Sequence, residues 1–184
     1  MSREDPDDDA LLVAAGAGDQ VAFNRLVQRH APRLYALARR YGCAEADAEE
    51  TVQDTFWRAW KTAGAWRPGG AKVSTWLYRV AVNRIIDRRR ASTRRPEDPI
   101  PDGQDFVDGA ATPEQALAAR QRLAALGAAI AQLPDRQRMA IILSTQQGRS
   151  NAEIAHILGV REGAVEQLMV RARKALRERY RRLQ

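Results

Sequence analysis

Gln167, Val170, Arg171 and Lys174 are spaced so that one face of a helix would carry all four. Arg pairs bidentately with guanine, Gln with adenine, and an apolar group touches the thymine methyl, so such a face suits base reading in a major groove. An exposed Val170 beside Arg171 has little purpose on a merely solvated basic helix. Glu166 has two readings. It opposes the helix dipole from the first turn, or it accepts from a cytosine amino group. Arg173, Arg177, Arg179, Arg181 and Arg182 suit phosphate contacts or plain surface.

A second constellation comprises Arg79, Asn83, Arg84 and Arg88, interleaved with Trp76 and Tyr78 and preceded by Trp66. Cations among aromatics suit single-stranded DNA, because bases stack while phosphates are neutralised. On spacing alone Trp66 and Trp76 serve equally well as core, and Trp57 and Trp60, inside an apolar stripe, are expected to be core. Glu50 and Asp54, one turn apart, are the pair that could hold a metal or move a proton. The rest of the chain gives them no help. Its two histidines, His30 and His156, form no E-x-x-H pattern, and there is no Gly-rich phosphate loop, serine elbow or cysteine pair. Neither a catalytic residue nor a metal or other cofactor is expected.

The elements that must position these residues are helices throughout. Ser150 with Glu153 makes a capping box, Gly159 ends that helix, and Ala155 and Val165 supply the small residue and the locking contact of a helix-turn-helix reaching to Leu176. Val165, Leu168, Met169, Ala172 and Leu176 form the stripe opposite the reading face. Upstream, apolar residues recur at helical spacing from Leu11 to about Arg90, with Pro32 a possible kink and Pro68-Gly69-Gly70 a break. In the segment 44–61, Val52, Phe56, Ala59 and Trp60 are expected to face the core and Glu49, Glu50, Gln53 and Asp54 the solvent.

The expected fold is all-α. An acidic, disordered N-terminus (1–9) precedes a helical domain (10–91), an acidic linker (92–112) and a second helical domain (113–184), in which Thr112-Pro113 reopens helix. Fully extended, about 20 linker residues reach on the order of 65 Å. With 30 Lys and Arg against 23 Asp and Glu, net charge is +7 and the basic residues are clustered, as a polyanionic partner requires. One cysteine excludes an internal disulfide framework, no apolar run crosses a bilayer, and the start has no secretory pattern. A cytoplasmic protein without membrane insertion is expected.

Taken together, DAEETVQDTFWRAWK, STWLYRVAVNRIIDRRR and LPDRQRMAIILSTQQGRSNAEIAHILGVREGAVEQLMVRARKAL resemble regions two and four of an extracytoplasmic-function (ECF) sigma factor of bacterial RNA polymerase. The resemblance covers nearly the whole chain, with two motifs in order and no domain between. It implies that Glu50, Gln53 and Asp54 meet the clamp helices of the polymerase largest subunit and that the C-terminal domain meets the flap. Trp76, Arg79, Asn83, Arg84 and Arg88 would serve the −10 element, partly single-stranded. Glu166, Gln167, Val170, Arg171 and Lys174 would serve the double-stranded −35 element. Leu77 stands where housekeeping members carry a second tryptophan, which would remove one stacking wedge. The loop 65–74 matches one that captures a flipped base, the linker matches a segment threaded near the RNA exit path, and an anti-sigma factor is implied. Many members carry a basic residue and a serine at positions 166 and 167. The competing reading is a two-domain regulator that binds duplex DNA as a dimer, which would need a self-complementary surface and a palindromic site.

Overall fold

The structure, a computed structural model, describes residues 6–92, 121, 124–145 and 149–181; residues 93–112 of the expected linker lie outside these. Among the described residues every regular element is a helix. The N-terminal half holds α1 (Asp8–Gly16), α2 (Gln20–Tyr41), α3 (Glu45–Ala63) and α4 (Val73–Ser92). Each begins or ends where local chemistry dictates. Asp7 accepts from Ala10 N–H at 2.7 Å, Asp19 accepts from Val21 and Ala22, and Gly42 ends α2 in the left-handed region at φ 95°. α2 runs straight through the position of Pro32 without ending. Leu12, Leu26, Leu34, Leu37, Leu77, Tyr78 and Ile85 fill the space between the four helices.

Two expectations change here. The sequence predicts disorder to residue 9, yet Asp7 is the cap of α1 and Asp8 and Asp9 are tied down. Asp8 reaches Arg29 at 2.6 Å and His30 Nε2 at 2.7 Å, and Asp9 accepts from Trp66 Nε1 at 2.7 Å. Opposite charge and a buried ring nitrogen draw these carboxylates onto the domain. Residues 1–5 lie outside the described residues. The second change is the rotation of α3. Trp57 is 60% exposed and Trp60 36%, so neither is core. The buried stripe is Ala48, Thr51, Thr55, Phe56, Ala59 and Ala63. Thr51 and Thr55 tolerate burial because their hydroxyls donate to the carbonyls of Asp47 and Thr51, each at 2.7 Å.

The C-terminal half comprises a helical stretch, α5 (124–131), then α6 (Asp135–Thr145), α7 (Asn151–Leu158) and α8 (Glu162–Arg181). Leu133, Met139, Leu143, Ile154, Ile157, Val165 and Ala172 make its core. The two halves pack together, α6 against α2 and α7 against α4, and their apolar residues form one continuous buried cluster. The seam carries polar contacts as well. The Tyr41 hydroxyl donates to Asp135 at 2.8 Å, Arg89 Nε lies 3.2 Å from the same carboxylate, and the guanidinium of Arg149 stacks on Tyr78 at 3.8 Å.

Candidate nucleic-acid interface

The helix-turn-helix is built as its residues require. Ser150 Oγ accepts from Glu153 N–H at 3.2 Å while the Glu153 carboxylate accepts from Ser150 N–H at 3.0 Å, closing the capping box that starts α7. Gly159 turns the chain at φ 63°, and Val165 and Ala155 lie buried between the helices. Val165, Met169 and Ala172 are buried, with Leu168 and Leu176 packed against the core from its edge. The opposite face of α8 is therefore rigidly presented. Glu166, Gln167, Val170, Arg171 and Lys174 are all exposed on it, Val170 by 65%. Glu166 is the fifth residue of α8, and Glu162 occupies the first turn instead. The dipole therefore favours Glu162 more than Glu166, because its field fades within one turn.

The residues on α4 divide into two groups. Arg79 and Asn83 are exposed, Asn83 beside a cavity of about 70 Å³ lined also by Arg136 and Leu158 across the seam. Trp76 is half-buried and meets Trp66 edge to face, their centroids 5.9 Å apart. Each ring is thus partly packed on the domain and partly open to solvent. Arg84 and Arg88 point the other way, into the acidic face of α3. Arg84 lies 2.7 Å from Asp54 and 3.0 Å from Glu50, and Arg88 lies 2.6 Å from Asp47 and also contacts Glu50. The Arg88 hydrogen bond, together with both guanidinium charges, holds the Glu50 carboxyl below the usual carboxylate range. Gln53 is exposed beside this ladder. Leu77 is fully buried, so position 77 faces the domain core rather than an incoming base.

Sequence reading passed over three features. Asp47 belongs to the ladder, and only its one-turn spacing from Glu50 hints at that. An open groove of about 620 Å³ beside the 65–74 loop is lined by Arg29, His30, Arg33, Lys72 and Ser74 together with Asp7, Asp8 and Asp9. Arg29 and Arg33, four residues apart on α2, were the available signal. His30, only 3% exposed, has its protonation disfavoured by burial, against the opposing pull of Asp8. The third is the seam, whose polar partners come from segments 94 residues apart.

Comparison with known proteins agrees with this geometry. Residues 26–95 match the family model described as Sigma-70 region 2, and residues 123–176 the one described as Sigma-70, region 4. The ECF RNA polymerase sigma factor SigM of Mycobacterium tuberculosis is 37% identical, over 95% of this chain and 85% of its own. The RNA polymerase sigma factor CnrH of Cupriavidus metallidurans is 35% identical, over 96% and 95%. Among solved structures, CnrH in complex with the cytosolic domain of CnrY superposes with a TM-score of 0.68 and 32% identity, covering 93% of this chain and 95% of that one. Two region models in order, relatives matched over nearly their full length and an exposed polar face of α8 on a buried support lead to one conclusion: the chain belongs to the ECF family of RNA polymerase sigma factors.

Proposed function

We propose that this sigma factor docks on core RNA polymerase through Glu50, Gln53 and Asp54 and reads a bipartite promoter. In this reading Trp76, Arg79, Asn83, Arg84 and Arg88 engage the −10 element, partly single-stranded, and Glu166, Gln167, Val170, Arg171 and Lys174 engage the duplex −35 element. The observation that supports it most is the exposed Val170 between Gln167 and Arg171 on a helix whose other side is buried. The protein acts by binding and positioning in the cytoplasm, and the reaction itself belongs to the polymerase. No helix among the described residues is long and apolar enough to cross a membrane.

The packed seam sets a geometric condition on that function. The two elements are named for positions about 25 base pairs apart, roughly 85 Å along B-form DNA. Here α4 packs on α7 and α7 on α8, so the axes of α4 and α8 lie within about 20 Å of each other, two packing distances of about 8–10 Å each. The seam must therefore open, and core polymerase, gripping each half, is the agent that holds the readers apart. Tethering then raises the effective concentration of the second reader once the first is engaged. The relative CnrH is solved in complex with the cytosolic domain of CnrY, and the Bartonella quintana sigma factor RpoE in complex with the anti-sigma factor NepR. By the same reading an anti-sigma factor holds this chain inactive in its closed form. Reconstitution with core polymerase on a library of double-stranded promoters tests the proposal. Initiation from an asymmetric two-element site is expected. A protein that neither co-elutes with core nor directs initiation, or that selects palindromes as a dimer, would contradict it.

A further inference from the structure

The ladder between α3 and α4 joins residues that belong to two different surfaces in the function proposed above, and this inference rests on that proposal. Asp47, Glu50 and Asp54 stand one turn apart on α3, and Arg84 and Arg88 one turn apart on α4. Glu50 is the central rung, bridged by both arginines. Three carboxylates against two guanidinium groups leave this surface with a net charge of −1 instead of −3. Each surface is therefore screened by the other. A basic partner meets carboxylates that are already occupied, and a nucleic acid meets a helix with two of its cations turned away.

The ladder is also easily opened. All five side chains keep between 28% and 45% of their surface exposed, and water-accessible ion pairs of this kind hold weakly. Apolar residues such as Phe56, Ala59, Leu77 and Ile85 already bury the inner faces of α3 and α4, so their packing does not need the pairs. Arg88 Nη1 is shielded from water with no acceptor, so the closed arrangement leaves a donor unsatisfied.

We infer that Arg84 and Arg88 exchange partners: Asp47, Glu50 and Asp54 hold them in the free protein, and a basic surface of the polymerase that takes these carboxylates releases both arginines to promoter phosphates. Linkage makes the effect reciprocal, so DNA on α4 frees the carboxylates for the polymerase by the same factor. The pair of helices thereby couples core docking to −10 engagement without a change in backbone.

The test uses the full chain and a fluorescent single-stranded DNA oligonucleotide of mixed sequence, first without polymerase. Glu50→Gln with Asp54→Asn should raise DNA affinity about 5- to 10-fold over a control double variant, Glu45→Gln with Glu49→Gln. That control removes the same charge from exposed positions of α3 that lie outside the ladder. Equal affinities for the two double variants would overturn the exchange, since charge removal alone would then explain the gain. In the second arm, Arg84→Gln with Arg88→Gln should bind core polymerase severalfold more tightly than wild type; unchanged or weaker binding would also overturn it. Circular dichroism melts confirm that each variant folds. A wild-type protein that bound no core at all would instead sink the functional proposal, a result separable from the DNA arm.

Discussion

Asp135 accepts the Tyr41 hydroxyl at 2.8 Å across the seam, joining the first residue of α6 to the last of α2. Arg89 and Arg90 approach the same carboxylate at 3.2 and 3.8 Å, and the Arg138 guanidinium, 4% exposed, stacks on the Tyr41 ring at 4.4 Å. Asp135→Asn keeps the shape and removes the charge. A hydrogen bond to a charged group contributes about 1.5–3 kcal/mol, so the closed population should fall markedly. Energy transfer between dyes on the two halves would report it, and an unchanged distance distribution would show that apolar packing alone holds the seam. Burial, and the bond to Asp135, also push the Tyr41 hydroxyl above its ordinary range. The unfolded chain then ionises near its usual pH of about 10 while the folded chain keeps its proton. This contribution is complete below that pH and is lost as pH rises beyond it, so melting temperature should decline on the alkaline side.

Gly16→Ala should be among the most damaging single-methyl changes in the chain. A Cβ there would sit 2.5 Å from the Ala63 carbonyl oxygen and 2.7 Å from its carbon, both backbone atoms that cannot rotate away. Overpacking of this kind costs about 1–3 kcal/mol or more. Gly163→Ala is the contrast: a Cβ there meets nothing within 4 Å, and the helix should gain about 0.5–1 kcal/mol. Urea melts of the two variants should move in opposite directions.

Cys43 should be unreactive at neutral pH. Burial, with Asp47 nearby, pushes its thiol from 9.0 up to about 11. Thiolate is the nucleophile, so at pH 8 the native protein should alkylate roughly 100-fold more slowly than an unhindered thiol. The rate should climb through a midpoint near pH 11. A midpoint near 9 would mean that the thiol is effectively solvated.

The helix-turn-helix was legible because its determinants are local: Ser150 and Glu153 are three residues apart, and Gly159 stands where only a positive φ closes the turn. The α3 stripe departs from the hydropathy expectation for a physical reason. Hydropathy favours tryptophan over threonine as core, whereas Thr51 and Thr55 satisfy their hydroxyls on the preceding helical turn and pack closely beside Ala48 and Ala59. Trp57 and Trp60 are left outside, Trp57 beneath Lys61 at 4.8 Å and Trp60 edge to face with Phe23 at 5.0 Å. The ladder was half legible. One-turn spacing placed Glu50 with Asp54 and Arg84 with Arg88, but no local pattern says that α3 and α4 turn faces whose residues are 34 apart, Glu50 and Arg84, toward each other. Leu77 shows the opposite limit, since a family position carried over by resemblance proved to be core. Leu77→Trp should therefore destabilise the fold by about 1–3 kcal/mol and leave promoter melting without gain.

Glu166 and Gln167 offer the most direct way to separate base reading from general attraction. Both are exposed on α8, beside Val170 and Arg171, and the helix beneath them is fixed by buried Val165 and Met169. Replacing them by Lys and Ser therefore changes the face without disturbing its support. Two contributions should respond independently. Exchanging Glu166 for Lys removes one negative charge and adds one positive, a net change of +2, which should steepen the salt dependence of binding by about one to two phosphate contacts on any duplex. Losing the Gln167 amide and the Glu166 carboxylate should shift preference at one or two adjacent −35 positions. A good bidentate pair discriminates by about 1–3 kcal/mol, or roughly 5- to 150-fold. Selection from a randomised duplex library at two salt concentrations reads both effects. If affinity rose uniformly and the selected sequences did not change, positions 166 and 167 would be phosphate neighbours. Base reading on α8 would then rest with Val170 and Arg171.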